Sequence, residues 1–169
     1  MRIGLTHTAP MRPLQVLRVL LTTVVAGVTL TGCSPTPQPI LGLAVADGQP
    51  MAMLYACGPD ASVSLYPAEA AVDPDLQWAV SSPYVAGLIE MKLLGAPPPG
   101  WEGGQSAATL QSGVRYHLAG SSGVEARIVK FTSADLDRID AGLVLIPGRE
   151  DTSLLGRTEF EEQAREACL

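Results

Sequence analysis

The chain has 169 residues, of which 47% are hydrophobic and 17% charged, with a formal net charge of −6 at pH 7. An acidic chain repels phosphate backbones, so charge alone excludes nucleic acid as a partner. After His7 the only histidine is His117, which leaves few side chains for zinc ligation or for activating a nucleophile.

The first segment carries Arg2, Arg12 and Arg18 and no acid, followed by an uncharged run from Val19 to Leu30. A basic stretch before an apolar one is the pattern of an export signal. The run is shorter than the roughly 20 residues a helix needs to cross the hydrocarbon core, which speaks against a lasting transmembrane span. Starting translation at Met1 or at Met11 leaves the same pattern.

Leu30-Thr31-Gly32-Cys33 stands where the apolar run ends. It resembles the lipobox of bacterial lipoproteins, a resemblance confined to the export segment. It implies that residues 1–32 are a signal peptide, that Cys33 becomes the first mature residue, and that Cys33 is acylated on its sulfur. Membrane lipid would then hold the protein at the extracytoplasmic face of the cell membrane. Two acyl chains, each stabilised by about 0.8 kcal/mol per buried methylene, suffice for durable anchoring. Ser34-Pro35-Thr36-Pro37-Gln38-Pro39 completes a Pro-rich tether over 33–39, because alternating prolines hold the backbone extended. A single domain is expected over 40–169, a common size for one core. Without residues 1–32 the chain keeps 8 cationic side chains against 17 carboxylates, a net charge of −9. Arginine outnumbers lysine nine to two, and the tether-plus-domain plan resembles lipoproteins of high-GC Gram-positive bacteria.

With Cys33 acylated, Cys57 and Cys168 remain, in a compartment that permits disulfides. Their one pairing closes a loop of about a hundred residues; the alternative is two free thiols.

Along the domain, Leu41, Leu43 and Val45 alternate with small residues. Asp47-Gly48 interrupts, and Met51, Met53, Tyr55 and Cys57 then alternate with Ala52, Leu54 and Ala56. Period two on both sides of Asp-Gly predicts a hairpin. Further strands are expected at 61–66, around Leu76, Trp78 and Val80, at 89–93, at 114–118 and at 124–131. In the last of these the alternation slips at Ile128 and Val129, the mark of a bulge. Thr132 or Ser133 is a candidate cap for a short helical turn, and Leu143 to Ile146 is an apolar run suited to a buried strand. At the end the period changes to four. Thr158-Glu159-Phe160-Glu161 matches a capping box, Phe160, Ala164 and Cys168 share one face, and Glu161 and Arg165 are placed to pair. The same face turns Cys168 inward, towards a strand cysteine.

Short strands with one terminal helix predict an all-β protein, an antiparallel β-sandwich with an immunoglobulin-like arrangement as one form. A small β-barrel is the alternative.

Chemistry-bearing residues are few. His117 shares a strand face with Arg115, no Gly-x-Ser-x-Gly elbow is present, and Gly120-Ser121-Ser122-Gly123 has the composition of a turn. No catalytic residue, metal ligand set or cofactor fingerprint is assigned. Asp135, Asp137 and Asp140, like Asp73 and Asp75, lack calcium-loop spacing. Glu159, Glu161, Glu162 and Glu166 crowd one short helix, where the first of them complement its positive end. Trp101 follows Pro97-Pro98-Pro99-Gly100, so a stiff loop with Pro99 is a candidate to display an indole to a partner; the alternative is that Trp101 folds back to plug the core. The expected function is a non-enzymatic binding or accessory module of the cell envelope, with an envelope protein as a candidate partner. The alternatives are a small solute-binding module and an envelope hydrolase acting through His117.

Overall fold

The computed structural model describes residues 37–69, 77–83, 85–104, 109–149 and 151–169. Cys33, Leu76, Asp73 and Asp75 lie outside them.

The Asp47-Gly48 hairpin forms as read. Strands β1 (Ile40–Ala46) and β2 (Gln49–Ala56) pair from Ile40 with Tyr55 to Ala46 with Gln49. The two turn residues sit at φ 52° and 70°, a left-handed conformation that matches the twist of the flanking strands. β3 (Ala61–Pro67) follows, then β4 (Trp78–Ser82), β5 (Gly87–Lys92) and the two-residue β6 (Glu102–Gly103). β7 (Arg115–Ser122) leads through Gly123 into β8 (Val124–Glu125) and β9 (Val129–Thr132). A single helical turn, α1 (Ser133–Leu136), is capped by Thr132, whose N–H and hydroxyl both donate to the Asp135 carboxylate. β10 (Leu143–Pro147), β11 (Thr152–Gly156) and helix α2 (Arg157–Ala167) end the chain.

These strands form two antiparallel sheets, ordered β11-β10-β1-β2-β5 and β6-β4-β3-β7, with β8 and β9 both on the outer edge of β7. The result is a β-sandwich rather than a closed barrel. β1, β2 and β5 opposite β4, β3, β7 and β9 reproduce an immunoglobulin-like strand order, to which β10 and β11 are added. A second feature of such sandwiches is present: near the start of β7 the Tyr116 hydroxyl accepts a 2.9 Å hydrogen bond from the backbone N–H of Gln111, five residues upstream.

The expected bulge is there too. Leu118 pairs with Val129 and Ser121 with Glu125, so Ala119 and Gly120 face three residues, Ala126 to Ile128. β8 and β9 are thus one edge strand with one extra residue, which explains the slipped alternation.

Two hydrophobic layers follow from the strand faces. Between the sheets, Leu41, Leu43 and Leu54 meet Val63, Leu65, Trp78, Tyr116, Leu118 and Phe131, all essentially removed from water. On the other face of the first sheet, α2 lays Phe160 against Met53 and Val144, with Ile40, Ala44, Ile146 and Leu155 around them. A Cβ on Gly42 would stand 2.4 Å from Val144 Cγ1 on the adjoining strand β10 and 3.0 Å from Phe160 Cε2 on the helix. Any side chain at position 42 therefore forces one of these neighbours to shift.

The helix differs from its sequence reading at the start. Its N-cap is Gly156, not Thr158, so the Thr158/Glu161 capping box does not form. Glu161 accepts instead from Arg157, one turn back at 3.2 Å, and Arg157 also reaches Glu90 on β5. Arg157 rather than Arg165 is the partner of Glu161 because it bridges helix and sheet at once.

Candidate functional site

The two remaining cysteines meet. Cys57, just beyond β2, and Cys168, the C-cap of α2, form a disulfide with Cα atoms 5.0 Å apart. The four-residue period that buries Phe160 and Ala164 carries Cys168 to the same side of the helix. Beside the bridge, the Gln38 N–H donates to Ala167 O at 3.0 Å, and Pro39 is already buried. The tether thus joins the fold at the C-terminal end of α2. A small cleft of about 150 Å³ lies there between Pro39, Ile146, Phe160 and Ala167.

Trp101 is only 9% exposed and belongs to the core between the sheets. Its segment runs from one sheet edge to the other. The Leu93 N–H donates to Pro50 O, Trp78 Nε1 to Gly95 O, and Ser82 Oγ to Gly100 O. The Trp101 N–H closes a turn on Pro98 O at 3.0 Å. Pro99 and Gly100 are exposed on this strap, while the indole is turned inward into the core between the sheets. The seam where β9 nears β10 and β11 is laced by Arg127, whose guanidinium donates to Gly148 O.

His117 stands half-buried on the outer face of β7. Its register neighbours are Tyr66 on β3 and Lys130 on β9, and its ring meets that of Tyr66 edge-on at 5.5 Å. Partial burial, then the charges of Lys130 and Arg115, lower its pKa below the ordinary histidine value. A histidine among cations is held neutral but has no carboxylate to orient it, unlike the base of a hydrolytic triad. The sequence placed His117 and Arg115 on one face; Tyr66 and Lys130 were missed, because the bulge hid the register that sets Lys130 opposite His117.

Asp135 is occupied by Thr132 and by Arg138 at 3.4 Å. No group of three His, Cys, Asp or Glu side chains among the described residues is arranged to hold a metal ion. No protein-family model, curated protein or solved structure matches the chain.

Proposed function

We propose that the protein is a lipoprotein held through an acylated Cys33 at the extracytoplasmic face of the cell membrane. In this reading its sandwich is a non-enzymatic binding or accessory module of the envelope. The observation that carries this reading is the position of Cys33, at the end of an apolar run that follows Arg2, Arg12 and Arg18. The Cys57–Cys168 bridge supports it, because such a bond persists in an oxidising compartment.

Four residues lead from Cys33 to Pro37, a contour of at most about 14 Å. An anchored domain is therefore held near the bilayer with the disulfide end towards it, and the sheet face that α2 does not cover remains open to the envelope. Binding by a sheet face needs no catalytic group, in keeping with the surroundings of His117.

The test is fractionation of cells making the natural chain or its Cys33→Ala form, combined with crosslinking in the intact envelope. The reading expects the natural chain in the membrane fraction, the variant out of it, and specific capture by the natural chain. Equal distribution of the two would refute anchoring through Cys33.

A further inference from the structure

The two outer faces of the sandwich are unlike. That of the sheet containing β1 is covered by α2, whereas nothing among the described residues covers the face formed by β4, β3, β7 and β9. On this open face the register places side chains in rows, since opposed residues of antiparallel strands point the same way. Ser81, Ser62 and Ser121 make one row, with the Ser62 and Ser121 hydroxyls 2.8 Å apart and Glu102 and Glu125 at its two ends. Ala79, Ser64 and Ala119 make the next, and over Ser62, Ser64, Ala79 and Ser81 the surface sinks into a shallow open depression bordered by Glu102. Tyr66, His117 and Lys130 rise as the third row, roughly 10 Å long across three strands, with Arg115 beside them. Neither Arg115 nor Lys130 is in an ion pair among the described residues. These two cations stand together at one end of the face, two rows away from the carboxylates of Glu102 and Glu125.

We propose that this face binds an extended, carboxylate-bearing polysaccharide of the envelope. The inference rests on the binding-module reading and names the partner. The serine and alanine floor and the cation-bearing row each match a part of such a chain, which would run along the row of Tyr66, His117 and Lys130. A floor of serine and alanine admits a flat sugar ring, and the hydroxyls donate and accept as sugar hydroxyls require. The Tyr66 ring offers an apolar wall with a polar tip. Arg115 and Lys130 give charge-assisted hydrogen bonds to carboxylates, and Arg115 is able to do so with two parallel N–H groups. A bound polyanion also favours protonated His117. The charged or titratable groups around that ring are Tyr66 from β3, Arg115 on its own strand and Lys130 from β9.

The test uses the detergent-solubilised mature protein, immobilised, with polygalacturonate as probe and dextran and polyglutamate beside it. Polygalacturonate should bind and dextran should not, with binding strengthening from pH 8 to pH 5.5 and weakening with salt. The double change Arg115→Gln and Lys130→Gln should cost tenfold or more in affinity. Ser64→Gln, which fills the floor without altering charge, should also weaken binding, with melting curves confirming that both variants fold. No binding of polygalacturonate, or equal binding of polyglutamate, would overturn the proposal. Failure here with membrane attachment intact would leave the anchoring reading standing, and loss of attachment with binding intact would do the reverse.

Discussion

Cys57 and Cys168 are 111 residues apart in the chain and covalently joined in the fold, so the bridge ties the end of β2 to the end of the helix that covers it. Because the Gln38 N–H is bonded to Ala167 O beside it, one small region collects the tether, the helix terminus and the disulfide. Closing a loop of this length contributes about 4–5 kcal/mol in the chain-entropy model. Replacing both cysteines by serine is expected to lower unfolding free energy by up to that amount, with α2 the first element to lose protection. Denaturant melts and amide exchange of the natural and double-serine chains would measure both effects.

Trp101 gives the sharpest separation of a structural from a binding role. With its indole buried in the core between the sheets, Trp101→Ala should destabilise the domain by about 3–5 kcal/mol. Chemical denaturation measures this; a variant as stable as the natural chain would show that the indole is not part of the core.

Gly42 tests how tightly β10 and α2 close around β1. An added methyl collides with Val144 Cγ1, so Gly42→Ala should cost about 1–3 kcal/mol although alanine is otherwise the better strand residue. Trimming the neighbour with Val144→Ala should recover part of that loss, which a double-mutant cycle would read as coupling.

The Tyr116 hydroxyl is the partner of the Gln111 N–H. Tyr116→Phe keeps the ring in the core but leaves that donor without its acceptor, at an expected cost of about 1–3 kcal/mol. An unchanged melting midpoint would contradict this.

His117 makes stability depend on pH. Its folded-state pKa is lowered, by burial first and by Lys130 and Arg115 next, so the unfolded chain binds the proton more readily. Its contribution is fully present above about pH 6.5 and is lost as pH falls through the lowered folded value. Comparing the natural chain with His117→Gln between pH 8 and pH 5 should show a steeper acid loss in the natural one.

Much of the fold was legible where a single residue pattern decides a local geometry. Asp47-Gly48 dictates its turn, Phe160, Ala164 and Cys168 mark a helix face, and the slip at Ile128 is a real bulge. Other elements left no such mark. β6 is only Glu102 and Gly103, with Gly103 so near Ala79 O that no side chain fits, and β11 shows no alternation. The covering role of α2 did leave a signal: Met53 and Tyr55 face away from Leu54 and Ala56, so β2 is apolar on both faces, as a strand between two layers must be. The helix start was misplaced because Thr158 and Glu161 fit a capping box locally, while the tertiary pairing of Arg157 with Glu90 and Glu161 drew position 157 into the first turn. The row of Tyr66, His117 and Lys130 depends on pairing between three distant strands, which no local pattern reveals.

Anchoring through Cys33 is tested most directly by the mass of the N-terminal peptide of the protein extracted from membranes of its own host. The expected result is a peptide beginning at Cys33 and heavier by a diacylglyceryl group, with or without a further acyl chain. An unmodified Cys33, or a mature chain that begins elsewhere, would contradict it.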